Sequence, residues 1–180
     1  MKNLLTLTVL GVAMLAAPAF AALEVGAKAP GFTAPAYLAG KPLTFNLDTA
    51  LKKGPVVVYF FPAPHTSGCN IEARLFSESI DEFKAQGATV IGVTAGKLDE
   101  LADFSKETEH CGGKFAVAAD KGAKIASQYD AILAQKPEWS NRTSYVISSD
   151  GTIALAYSEM SPQQHVKQTL DAVKALKTKG

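Results

Sequence analysis

Of the two cysteines in the chain, Cys69 is the one placed where a sulfur could react. It follows the apolar run Val56 to Phe61 and precedes Phe76, Ile80 and Phe83, which recur at helical spacing until Gly87 supplies a stop. Cys69 is therefore predicted at the first turn of a helix, among backbone N–H groups without intrahelical partners and at the positive end of the dipole. That field favours thiolate over thiol, and the thiolate is the nucleophile. Thr66 stands where a Cys-x-x-Cys motif would carry its other cysteine, so dithiol exchange within the motif is excluded. A single sulfur can still displace at a peroxide oxygen, giving a sulfenic acid and releasing water or an alcohol. Gly68 and a polar lead-in argue that this sulfur is exposed rather than an inert buried thiol.

The elements that must hold Cys69 follow from the pattern around it. The run Val56–Phe61, bounded by Gly54-Pro55 and Pro62, argues a strand buried on both faces, as in the middle of a sheet. Residues 22–54 are punctuated by Pro and Gly and read as an irregular lead-in with a strand or hairpin near Leu43–Asn46. Ala88–Thr94 is a second buried strand, and a helix is predicted over Leu98–Thr108, ended by His110, Cys111 and two glycines. Phe115–Ala118 reads as a short strand, Ala123–Tyr129 as a short helix and Leu133–Asn141 as a loop. Thr143–Ile147 and Thr152–Tyr157 flank Ser149-Asp150-Gly151, a hairpin signal. Ser161 with Pro162 and Gln164 reads as an N-cap opening a helix with the stripe Val166, Leu170, Val173 and Leu176. Alternating strands and helices followed by a hairpin and a terminal helix predict a three-layer α/β domain with a mixed sheet.

Length and composition bound the alternatives. At 180 residues and 47% apolar, the chain supports one domain with a sizeable core. Lys2, the apolar run Leu4–Ala17 and the small-residue step Ala19-Phe20-Ala21 read as a cleaved signal peptide over residues 1–21, with the domain over 22–180. The chain is on this reading exported, to the periplasm, with no membrane contact after cleavage. Beyond residue 21 there are 17 basic and 17 acidic residues, a balance that offers no electrostatic case for nucleic acid. Two cysteines in an oxidising compartment also fit a structural disulfide.

The chain resembles the peroxiredoxin family. Pro62-Ala63-Pro64-His65-Thr66-Ser67-Gly68-Cys69 fits the pattern Pro-x-x-x-Thr-x-x-Cys, and Glu72, the lead-in Val25–Phe32 and Arg142–Ile147 follow in order. The likeness covers nearly all of residues 22–180 and is greatest to the bacterioferritin-comigratory, or Q-type, branch. The resemblance implies a thioredoxin-like fold, with a mixed central sheet and helices on both faces, and thiol peroxidase activity with Cys69 as peroxidatic cysteine. It further implies a peroxide substrate, a thioredoxin-like or small-thiol electron donor, no cofactor, and a monomer or homodimer. Thr66 would donate or relay a hydrogen bond to sulfur or peroxide, Arg142 would stabilise charge on the leaving oxygen, and Pro62 would shield the site from water. An unpaired carboxylate would hinder the thiolate, so Glu72 is expected to bind the Arg142 guanidinium.

Blander roles compete at each position. Thr66 also reads as a cap, Pro62 as a strand terminator, Arg142 as a surface charge, and Glu72 as a first-turn acid facing the helix dipole. His65 reads as a loop residue rather than a base, and His110 beside Cys111 offers two metal ligands, too few to make a site. A Q-type chain often carries a resolving cysteine five residues after the first, where this chain has Arg74. Cys111, 42 residues after Cys69, either resolves the sulfenic acid or leaves that step to an external thiol; the first is favoured. From another functional class, a non-catalytic thioredoxin-fold binding or scaffold protein would retain the motif without turnover.

Overall fold

Strand β3, Val56–Phe60, lies near the middle of a seven-stranded sheet, and both its faces are covered. The computed structural model describes residues 22–178, so the leader assigned to residues 1–21 lies outside the described residues. The pleat of β3 sends Val56, Val58 and Phe60 into one core and Val57 and Tyr59 into another, which is why an unbroken apolar run was needed. The first core is completed by helices α1 (Leu47–Leu51) and α4 (Lys124–Gln128). The second receives α2 (Ser67–Ala85), α3 (Leu101–Lys106) and α5 (His165–Lys177). Each buried Phe in these cores contributes on the order of 1.5–3 kcal/mol relative to an exposed one.

Hairpin β1–β2 (Thr33–Leu38, Lys41–Asn46) closes one edge of the sheet through Ala39 and Gly40, both with positive φ. Strands β4 (Thr89–Thr94) and β5 (Ala116–Ala119) run parallel to β3, while β8 (Thr143–Ile147) and β9 (Ile153–Ser158) pair antiparallel at the other edge. The spatial order β2-β1-β5-β4-β3-β8-β9 is therefore mixed, with helices on both faces, the expected thioredoxin-like arrangement. The β8–β9 turn is the one forecast at Asp150-Gly151: Gly151 has φ 82°, and the Asp150 carboxylate accepts the Thr152 N–H at 2.9 Å.

Three local expectations are corrected. Leu133–Asn141 contains a small antiparallel ribbon, β6 (Ile132–Leu133) with β7 (Lys136–Ser140), rather than a loop. Pro137 is tolerated because a two-stranded ribbon has an unpaired side. Helix α3 ends at Lys106 because Glu107 turns extended, and its carboxylate is taken up by His65 and His110. Ser161 makes no cap bond to the backbone; a single 3-10 turn at Pro162–Gln164 leads into α5 instead. Among the described residues no helix is long and apolar enough to cross a membrane.

Candidate active site

The polypeptide leaves β3, turns through Pro62–His65, and enters α2 with Thr66 as an extended N-cap at φ −110°. Cys69 thus falls in the first turn, but it is only 1% exposed, against the expected exposure. The reason lies in the helix period: Cys69 shares the inward stripe of Ala73, Phe76, Ile80 and Phe83. Glu72, one turn along, is fully buried.

Arg142 enters from the junction of β7 and β8 and is 4% exposed. Its Nε donates to the Met160 carbonyl at 2.9 Å, Nη1 to Glu72 Oε2, and Nη2 to Cys69 Sγ at 3.5 Å. One guanidinium therefore joins Cys69 and Glu72, which the sequence separates from it by an entire βαβ crossover. The second Glu72 oxygen has no hydrogen-bond partner and stands 3.5 Å from His165 Nδ1. His165 Nε2 donates to the Glu159 carbonyl at 2.8 Å, so the neutral ring accepts at Nδ1, from Ser144 Oγ at 2.8 Å. Burial pushes the His165 pKa down to about 4, which keeps that ring neutral. Burial likewise pushes Glu72 up to about 8, with Arg142 opposing. The Arg142 guanidinium is thus the cation that both the Glu72 carboxyl and the Cys69 sulfur face.

Thr66 Oγ1 donates to the Ala63 carbonyl at 3.0 Å and makes no cap bond. With its hydrogen directed there, the hydroxyl oxygen keeps its lone pairs to accept from another donor. Pro62 is buried, and its carbonyl accepts from Thr94 Oγ1 at 2.9 Å. A methyl group at Gly96 would collide with that carbonyl and the Trp139 ring, which fixes glycine there. His65 takes φ 55° and is held by Glu100 at 2.6 Å and Glu107 at 2.9 Å. Burial works against its charge, but the two carboxylates win and raise its pKa.

Gly68 is set by the same guanidinium: a Cβ there would lie 2.9 Å from Arg142 Nη2. Because Nε and Nη1 are already tied, Gly68→Ala is expected to push Nη2 off the sulfur. The expected loss is about tenfold in the rate of Cys69 oxidation by peroxide, with the denaturation midpoint little changed.

Cys111 is fully buried, and both cysteines are free. Burial, then Glu107, drives the Cys111 thiol far above its ordinary range, so it rests as the thiol. The two sulfurs line one core with Tyr59, whose hydroxyl has no hydrogen-bond partner. Tyr59 is kept protonated by burial first, then by Cys111, Glu72 and Cys69. Beyond Cys111, Gly112 and Gly113 take φ 59° and 67°.

Tyr59, Ser144 and His165 were not singled out from sequence. Tyr59 was hidden in an apolar run. His165 had a signal, since His165 and Thr169 fall on the buried face of α5 beside Val166 and Val173.

A thiol and a guanidinium held together at the end of a central strand, in a sheet of this order, define a thiol-based redox enzyme of thioredoxin-like architecture. The AhpC/TSA family model matches residues 25–156, and the chain belongs to that family. Peroxiredoxin Q, chloroplastic, of Sedum lineare is 30% identical over 159 residues, covering 88% of this chain and 82% of its own. The protein of the same name from Arabidopsis thaliana is 31% identical over 157 residues, covering 87% and 69%. The crystal structure of peroxidoxin BcpB from Mycobacterium tuberculosis superposes with a TM-score of 0.74 at 26% identity, covering 85% of this chain and 97% of that one. The chain is thus a peroxiredoxin, a thiol-dependent peroxidase, and the scaffold alternative has no support among these relatives.

One expectation is overturned by the same relatives. The assignment to the periplasm conflicts with matched proteins that are chloroplastic by name. The apolar, acid-free composition of residues 1–21 does not by itself specify a compartment.

Proposed function

We propose that Cys69 is the sulfur that reduces peroxide, with Thr66, Arg142, Glu72 and Pro62 as its supporting residues. The Cys69 thiolate attacks one peroxide oxygen, the O–O bond breaks, and the sulfur takes up OH as sulfenic acid. The departing oxide takes the proton the thiol gave up and leaves as water or an alcohol. Thr66 Oγ1 accepts the peroxide O–H and so aligns the O–O bond with the sulfur. The Arg142 guanidinium and the open N–H groups of the first turn of α2 face the charge that develops as the bond breaks. Glu72 positions Arg142, and Pro62 fills the approach without adding a competing donor. The observation that carries this reading is the single guanidinium shared between Glu72 and the Cys69 sulfur, 3.5 Å from Nη2.

In the second half of the cycle the Cys111 thiol attacks the sulfenic sulfur, water leaves, and a disulfide forms. A thioredoxin-like reductant then returns two electrons. Cys111 and Cys69 bordering one core supports this pairing, and the glycines at 112 and 113 ease the movement that burial demands. The test is one equivalent of hydrogen peroxide followed by non-reducing digestion and mass spectrometry. A peptide joining Cys69 to Cys111 is the expected product; Cys69 sulfenic or sulfinic acid beside a free Cys111 gives resolution to an external thiol. In Thr66→Val the oxidation of Cys69 should slow by about a hundredfold, the scale of a lost aligning group. An unaltered rate would remove Thr66 from the mechanism.

A further inference from the structure

A second group of side chains gathers beyond the Cys69 site, between the loop that leads into α2 and the turn that follows α3. His65 Nδ1 lies 2.6 Å from Glu100 Oε2, and its Nε2 lies 2.9 Å from Glu107 Oε2. His110 Nε2 approaches the same Glu107 oxygen at 3.4 Å. The ligand atoms of His65, Glu107 and His110 all lie within 4.8 Å of one another. A tetrahedral ion bound at about 2.0–2.1 Å holds its donor atoms about 3.3 Å apart, and the two measured separations bracket that spacing. Glu100 occupies Nδ1 of His65 and so leaves Nε2 turned toward Glu107, the carboxylate–histidine arrangement that orients metal ligands. Phe104 packs against both rings, with centroids 5.4 Å from His65 and 5.0 Å from His110, and walls the group on its inner side. His65 reaches this place at φ 55°, a conformation that costs energy in a residue with a Cβ and persists only where its surroundings hold it.

We propose that His65, Glu107 and His110 form a binding site for a divalent transition-metal ion of the zinc class, with Glu100 orienting His65. Two imidazoles and one carboxylate suit Zn²⁺ and not the oxygen-seeking Mg²⁺ or Ca²⁺. Three protein ligands leave a fourth position for water. The pairing of His110 with Cys111 suggested by adjacency in sequence is replaced by one with His65 and Glu107, which only the fold brings near. The site ties the segment entering Cys69 to the segment entering Cys111 and does not depend on how either sulfur reacts.

Its test is the titration of Zn²⁺ into the full reduced chain, with a phosphine as reductant and a chromophoric chelator as competitor. One ion per chain is expected, unaffected by millimolar Mg²⁺ or Ca²⁺. Glu107→Gln and His110→Gln should each weaken binding at least tenfold, and Glu100→Gln about tenfold through the orientation of His65. Co²⁺ in place of Zn²⁺ should give the visible bands of a tetrahedral nitrogen–oxygen site with no sulfur-to-metal charge-transfer band. Absence of saturable uptake, uptake undiminished in Glu107→Gln and His110→Gln, or a sulfur band would each overturn the proposal. The first would leave His65 as a ring hydrogen-bonded between two carboxylates.

Discussion

Arg142→Met should slow the oxidation of Cys69 by hydrogen peroxide by about a hundred- to a thousandfold, the loss seen when a donor aimed at developing charge is removed. Methionine keeps length and apolar bulk in a place that is 4% exposed, so the change is chemical before it is steric. What disappears is the Nη2 donor 3.5 Å from the sulfur and, among the described residues, the cation that faces both Cys69 and Glu72. Glu72, left alone and buried, keeps its proton and does not remain an unpaired anion. Arg142→Lys separates charge from geometry: a lysine supplies the cation without the planar fork and should recover only part of the rate. Rapid-quench thiol titration at pH 7 reads these rates directly, and a methionine variant that reacts as fast as the parent would dismiss Arg142 from the chemistry.

Glu72→Ala should lower folding stability by about 3 kcal/mol, toward the lower end for breaking a buried pair, because Cys69 still faces the guanidinium. The change removes the acceptor of Arg142 Nη1 and leaves a void beneath a helix whose neighbouring inward positions are all filled. Urea denaturation measures it, and a loss below about 1 kcal/mol would mean that water or Ser144 replaces the carboxyl at little cost. Glu72→Gln tests the proton. Burial raises the Glu72 pKa from its ordinary 4.5 to about 8, so the folded protein holds this proton more tightly than the unfolded chain. The resulting stabilisation is complete below about 4.5 and drains away as pH rises through 8. Wild-type stability should therefore fall relative to Glu72→Gln across that interval; parallel curves would mean that folding does not raise the Glu72 pKa.

The centre of the fold was legible because β3 is constrained twice. It must be apolar on both faces and must end where a helix begins, and both demands appear in consecutive residues. The hairpin at Asp150-Gly151 was legible for a similar local reason, since only a few residue types accept its positive φ. The exposure of Cys69 was misjudged because Gly68 and the polar lead-in describe the helix approach, whereas the sulfur's direction is set by the stripe it shares with Ala73 and Phe76. Thr66 was placed correctly in the chain, but the direction of its hydroxyl depends on the Ala63 carbonyl, a turn geometry that sequence does not carry. Ser144 and His165 complete the surroundings of Glu72 from a strand and a helix far away in sequence, and Pro137 concealed a ribbon that its unpaired edge permits.

In the proposed two-cysteine cycle, the full burial of Cys111 sets up a race. Once Cys69 carries its oxygen, the buried second sulfur has still to reach it, and until then another oxidant molecule competes for the same atom. At scarce oxidant the second sulfur wins and the enzyme is recycled; under a flood the second hit comes first and Cys69 is carried to the sulfinic acid, which thiols do not reverse. In that proposed cycle one inward-facing side chain sets the dose at which the enzyme takes itself out of service.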